Sequence, residues 1–189
     1  FRRVLFRSLL SGDEAVALAA FHAGVRLGTG YPGTPSTEIL EYLSDLGGRA
    51  QWAPNEKVAL EIAYTGSLTG LRAAASMKQV GLNVASDPLM SAAYTGVAGG
   101  LLVVSADDPG PHSSQTEQDS RLMAMMARIP VLDPDSPRHA RDLIGRGYEL
   151  SERFGIPVML RPTTRVCHAC QDVLPGEIPA PRSEEHTSE

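Results

Sequence analysis

Two stretches, "LRAAASMK" (Leu71 to Lys78) and "GGLLVVSA" (Gly99 to Ala106), carry continuous rather than alternating apolar cores. A strand of that kind must be covered on both faces, which is the situation of a parallel sheet held between two layers of helix. The rest of the chain supplies the cover. "SGDEAVALAAFHAG" begins with a capping box, Ser11 and Glu14, and closes on Gly24. "PSTEILEYLSDLGG" places Ile39, Leu40, Leu43 and Leu46 along one helical face, and "NEKVALEIAYTGSLTG" has Asn55 as a cap.

Further along, a helix is expected from near Ser86, another over "QDSRLMAMMARI", and a long one over "SPRHARDLIGRGYELSERFG", begun by Ser136 and Pro137. Met123, Met125 and Met126 are read as core packing. Between the helices lie the short strands "VRLGTGY", "RAQWAP", "PVLD" and "IPVMLRPT", the last of them closing the sheet. The expected architecture is α/β, a three-layer αβα sandwich around a mostly parallel sheet of about six strands.

A chain of 189 residues suits one well-buried domain. Acidic residues exceed basic ones, 22 to 17, without a Lys/Arg block, so a nucleic-acid surface is not expected. No apolar run is long enough to cross a bilayer and no secretory signal is evident, so a cytoplasmic location is expected. Residues 1–8, "FRRVLFRS", and 182–189, "RSEEHTSE", lack the texture of the interior and resemble translated adapter sequence; they are expected to be non-native tails. The domain is expected over 9–173, with the start of a linker to a following domain over 174–181.

Four polar segments follow predicted strands: "YPGTPST", "PNEK", "MKQVGLN" and "ADDPGPHSSQTEQD". In a parallel sheet they share one rim, where ligands gather. Thr34 followed by Pro35 reads as a hydroxyl N-cap with proline in the first helical position, leaving backbone N–H groups free for an anion. Each segment also has a plain structural reading. Glu56 suits the first turn of any helix, His112 suits a loop, and Asp107 and Asp108 in "DDPGP" suit a turn. Cys167 and Cys170 in "CHAC" give at most three ligands on one loop, short of the four of a structural zinc site, so no metal site is expected. Two cysteines are also too few for an iron–sulfur cluster.

In combination the segments are specific. "GYPGTPSTEI", "NEKVALEIA", "MKQVGLNVASDPLM", "ADDPGPHSSQTEQD" and "IPVMLRPTTRVCH" occur in the order and spacing of the 2-oxoacid:ferredoxin oxidoreductase family. They resemble its indolepyruvate branch, in the N-terminal pyrimidine-binding domain of the large subunit, over roughly Leu9 to Val173. The resemblance implies a thiamine-diphosphate enzyme. Glu56 would be the carboxylate hydrogen-bonding the ring nitrogen of the aminopyrimidine, which favours the 4′-imino tautomer and hence removal of the thiazolium C2 proton. Thr34 and Pro35, with Ser114 and Gln115, would border the 2-oxo acid, and the "KQVGLN" turn, Lys78 to Asn83, would line the cofactor pocket with Gln79, Gly81 and Asn83.

The family's G-D-G motif and asparagine pair, which hold Mg²⁺ and the diphosphate, are not in this sequence. The resemblance therefore implies a first portion of a longer subunit. Its implied partners are the diphosphate-binding domain of that subunit, a smaller second subunit, ferredoxin, coenzyme A and the 2-oxo acid, in a homo- or hetero-oligomer. Mg²⁺ and [4Fe-4S] clusters would belong to the complete enzyme. The implied activity is oxidative decarboxylation of indolepyruvate or other aryl pyruvates to the aryl-acetyl-CoA with ferredoxin reduction. A sister enzyme for pyruvate, branched-chain 2-oxo acids or 2-oxoglutarate is the alternative, as is a docking module without catalytic role. A separate nucleotide-binding domain is disfavoured, because no G-x-G-x-x-G or P-loop follows the first strand.

Overall fold

A computed structural model describes residues 8–174. The expected tails, apart from Ser8, and the linker, apart from Leu174, lie outside the described residues. Six strands form the main sheet in the order β3 (Ala50–Trp52), β2 (Leu27–Gly30), β4 (Ala73–Lys78), β5 (Leu101–Ala106), β7 (Val158–Leu160) and β6 (Val131–Leu132). Every pairing in it is parallel. The continuous apolar run of β5 is thereby explained. Leu102 and Val104 pack with α1 (Gly12–His22), α2 (Thr37–Asp45) and α7 (Pro137–Phe154), through Val16, Leu40, Ile144 and Tyr148. Leu101 and Val103 face the opposite layer, of α3 (Glu56–Leu68), α4 (Gln79–Val84), α5 (Ser86–Thr95) and α6 (Ser120–Ala127), through Leu60, Leu82, Leu89 and Ala124.

The caps read from the sequence organise these helices. Ser11 Oγ accepts from Glu14 N–H at 3.1 Å while the Glu14 carboxylate accepts from Ser11 N–H at 2.7 Å. Asn55 caps α3 through the Val58 N–H, and Ser136 caps α7 with Pro137 behind it.

Four expectations are corrected. "KQVGLN" is not a turn, since α4 occupies Gln79–Val84 and α5 follows it directly. β7 does not end the chain's strands, because α8 (Thr164–His168) leads into β8 (Cys170–Val173), which pairs antiparallel with β1 (Ser8–Ser11) in a separate two-stranded sheet. Ser8, at the edge of the expected tail, lies opposite Val173 there. Thr34 does not cap α2: the helix starts at Thr37 with Ser36 before it, and the Thr34–Pro35 peptide is cis. Local hydroxyl bonds prevail over an earlier helix start, as Ser36 Oγ donates to the Gly33 carbonyl and Thr37 Oγ1 accepts from Gly33 N–H. Finally, Met125 and Met126 are 68% and 67% exposed. At about 100° per residue, Met123, Ala124 and Ala127 turn to the core while Leu122, Met125 and Met126 turn outward.

Candidate active-site rim

The strand order reverses direction between β2 and β4. From β2 the chain passes to α2 on one face of the sheet, and from β4 it passes to α4 on the other. Such a switch point opens a crevice at the carboxyl ends of the strands. The turn 31–36 leaves β2 there, Asn55 and Glu56 follow β3, Gln79 follows β4, and the loop 107–119 follows β5. All four segments expected at the rim are at it.

Hydrogen bonds tie the loop to its neighbours. Ser113 Oγ donates to the Thr34 carbonyl at 3.4 Å, and Lys78 Nζ donates to the Ser113 carbonyl at 3.3 Å. Gln79 Nε2 donates to the Thr116 carbonyl at 3.4 Å, while Gln118 Nε2 donates to the Gln79 carbonyl at 3.2 Å. Asn83 and Gln118 exchange amide hydrogen bonds of 2.8 and 3.0 Å. Asn83 is thus engaged as a latch on the loop.

Glu56 begins α3, which is seated on the sheet by the buried Thr29 hydroxyl donating to the Ala59 carbonyl at 2.7 Å. Its half-buried carboxylate accepts no hydrogen bond from the described residues. It lies directly over Gly81, where a Cβ would come 2.6 Å from Glu56 Cγ and 2.7 Å from its carboxyl carbon. Only glycine lets α4 approach the acid that closely. Two further polar atoms of predicted site residues are buried without a hydrogen-bond partner, Gln79 Oε1 and Ser114 Oγ, although the latter lies near the Asp108 carboxylate. Buried orphans of this kind are costly unless a ligand satisfies them. Thr34 and Gln115 are exposed, and Pro35 is buried under the turn.

The residues that shape the loop were read from the sequence only as a turn. Asp108, fully covered by its own loop, accepts from the N–H groups of His112, Ser113 and Ser114 through one oxygen and from the Thr164 hydroxyl through the other. Burial pushes its pKa up, but the N–H groups and hydroxyls outweigh that and hold the carboxyl well below its ordinary value. Asp107 is equally buried and binds Ser120 through both backbone and hydroxyl and Arg161 Nε at 2.7 Å. A small core void of about 20 Å³ lies between α1, α2 and the sheet, and an open cleft of about 380 Å³ lies along α3. Neither includes Glu56, Thr34 or Gln79.

A doubly wound α/β layer that presents a free carboxylate and unsatisfied polar atoms at its switch point is a ligand-binding domain. The chain belongs to the family described as pyruvate flavodoxin/ferredoxin oxidoreductase, thiamine diphosphate-binding, whose model matches residues 18–184. It is 48% identical over 178 residues to the indolepyruvate oxidoreductase subunit IorA of Archaeoglobus fulgidus, covering 90% of this chain and 29% of that protein. Against the same subunit of Pyrococcus abyssi the identity is 47% over 177 residues, 92% of this chain and 27% of the relative. A 2-oxoglutarate synthase subunit KorA of Methanothermobacter thermautotrophicus is 29% identical over 171 residues, 84% of this chain and 45% of the relative. The fold matches that of the 2-oxoglutarate:ferredoxin oxidoreductase from Magnetococcus marinus with a TM-score of 0.81 at 21% identity, covering 90% of this chain and 32% of that one. The chain thus spans under a third of the IorA relatives it matches here. Among the described residues no helix is long and apolar enough to cross a membrane.

Proposed function

We propose that this chain supplies the pyrimidine side of a thiamine-diphosphate site in a cytoplasmic indolepyruvate:ferredoxin oxidoreductase, with residues 9–173 forming that domain and a linker from 174. The observation that carries the reading is the Glu56 carboxylate, unpartnered at the switch point and pressed onto Gly81. The orphaned Gln79 Oε1 on the same short helix fits a polar ring that would satisfy it, and the orphaned Ser114 Oγ on the facing loop fits a polar substrate beside that ring. The chemistry such a cofactor supplies when bound is a nucleophilic carbon for the 2-oxo carbonyl and an electron sink for the loss of carbon dioxide.

Glu56 would hold a hydrogen bond at the ring nitrogen of the aminopyrimidine, and its seat on Gly81 would set the approach of that carboxylate. Gln79 and Gly81 would frame the ring, while Asn83 ties the 107–119 loop beside them through Gln118. Thr34, exposed on the turn that leads into α2, would meet the substrate carboxylate, with the buried Pro35 shaping the turn behind it and Ser114 and Gln115 on the other side. Mg²⁺, the diphosphate-binding domain, the iron–sulfur clusters, a second subunit, ferredoxin and coenzyme A belong to the longer enzyme. The outward face of α6, with Leu122, Met125 and Met126 exposed just beyond the rim loop, offers that enzyme an apolar docking surface. Identity of 45–49% to IorA subunits against 29% to a KorA subunit supports an aryl 2-oxo acid over 2-oxoglutarate.

The test is calorimetric titration of thiamine diphosphate with Mg²⁺ into this chain and into the full-length subunit from the same source. Binding by the full-length protein that disappears in Glu56→Ala, with an unchanged melting temperature, is expected. Full-affinity binding by the Glu56→Ala protein would end the assignment of Glu56, and turnover of 2-oxoglutarate but not indolepyruvate would end the substrate assignment.

A further inference from the structure

The "CHAC" loop looked one ligand short in the sequence, but the fold brings other donors to it. His168 ends α8, Asp13 lies in the first turn of α1, and Glu38 lies in the first turn of α2. One donor atom from each comes within 4.8 Å of the others. Gly12 makes the approach possible, since a Cβ there would collide with the Val166 carbonyl and lie 3.0 Å from Cys167 Cα.

Asp13 is what separates this cluster from ordinary surface acids. It is 1% exposed, and neither of its oxygens has a hydrogen-bond partner at normal geometry. The Cys167 thiol reaches it only as a weak donor, and the Glu38 and Glu14 carboxylates add like charge. A first-turn acid gains something from the helix dipole, but that gain and a weak thiol donor are small beside the cost of burying a carboxylate without a charged partner. A cation would supply the missing partner, and the exposed Glu38 and His168 leave it a path from solvent.

We infer that Asp13, Glu38 and His168 form a binding site for a divalent transition metal of the zinc class, distinct from the thiamine-diphosphate rim. Two carboxylates and an imidazole are ordinary zinc ligands, and three protein ligands leave a fourth position open beside Cys167. The ion would clamp the first turns of α1 and α2 to the end of α8. Because α2 directly follows the turn bearing Thr34, that clamp fixes one wall of the rim from behind.

The test uses the chain as it is, stripped of metal, and titrates it with Zn²⁺ by calorimetry, in parallel with Co²⁺ followed by visible absorption. Glu38→Gln and His168→Ala change exposed side chains, so folding is preserved and can be checked by circular dichroism. The expected result is one equivalent of Zn²⁺, an affinity reduced at least about tenfold in each variant, tetrahedral Co²⁺ bands lost in both, and a Zn²⁺-dependent rise in melting temperature seen only in the unaltered chain. Absence of saturable binding overturns the site. So does Zn²⁺ binding that is the same in both variants, which would place the ion on other histidines. None of these readouts involves thiamine diphosphate, so the site stands or falls separately from the proposed function.

Discussion

Replacing Asp108 by asparagine and, separately, by alanine measures how the rim loop is held. In the native chain one carboxylate oxygen accepts three backbone N–H groups, from His112, Ser113 and Ser114, at 2.9 to 3.0 Å. The loop is otherwise exposed, so in Asp108→Ala those N–H groups regain water. With the donors rehydrated each bond counts about 1 kcal/mol, the ordinary net value, giving a loss of about 3 kcal/mol. Asparagine keeps an acceptor for all three. Its NH₂ faces Thr164 Oγ, which can accept while its own hydrogen goes to the Asp107 carbonyl 3.1 Å away. Only the charge is lost, and since charge assistance roughly doubles such bonds, the expected cost is about 1 to 1.5 kcal/mol.

Urea unfolding at neutral pH should therefore rank the native chain, Asn and Ala in that order, with Ala about twice as costly as Asn. Acid gives a second reading. The folded pKa of Asp108 lies below its unfolded value of 3.8, so the stability the ionised group contributes is fully present above pH 3.8 and is lost as the pH falls through the folded value. The gap between the native chain and Asp108→Asn should narrow below that pH. If Asn costs as much as Ala, or if neither costs more than about 0.5 kcal/mol, the loop is not held in this way.

Gly81→Ala adds a methyl where the Glu56 stem lies. Because Glu56 can swing aside and alanine favours a helix by about 1 kcal/mol over glycine, stability should stay within about 1 kcal/mol of the native value while the full-length subunit loses thiamine-diphosphate affinity. Unimpaired binding would show that the position of Glu56 is immaterial. Arg161→Met removes the partner of the buried Asp107 and should destabilise by about 3 to 5 kcal/mol in urea unfolding, with Asp107 left only its Ser120 bonds. A loss below about 1 kcal/mol would mean that the pair contributes little beyond packing.

The frame was legible wherever the signal was local. Continuous apolar runs marked β4 and β5, and Ser11, Asn55 and Ser136 marked helix starts by chemistry that acts within three residues. Glu56 and its rim neighbours stand out as candidates through the family pattern, whereas their unsatisfied atoms needed coordinates. Long-range features escaped. "DDPGP" reads as a turn because the groups that bury Asp107 and Asp108, Arg161 and Thr164, are more than fifty residues away. β8 was missed because its partner is at the opposite end of the chain. α4 was missed because six residues with a central glycine and no side-chain cap carry almost no helical signal. The spacing of the α6 methionines suggests one shared helical face, yet Met125 lies about 200° around the helix from Met123.

The antiparallel pairing of β1 with β8 sets Ser8 opposite Val173, so the chain arrives and departs at one place on the surface. A domain arranged like this can be spliced into a host polypeptide, or have its order of segments cyclically rearranged, with little disturbance to whatever lies on either side. Joining the β8 end to the β1 start and opening the chain at the exposed α6 surface would move both termini to the neighbourhood of the rim. That would turn a fixed geometric property of the fold into a handle for attaching reporters next to the ligand site.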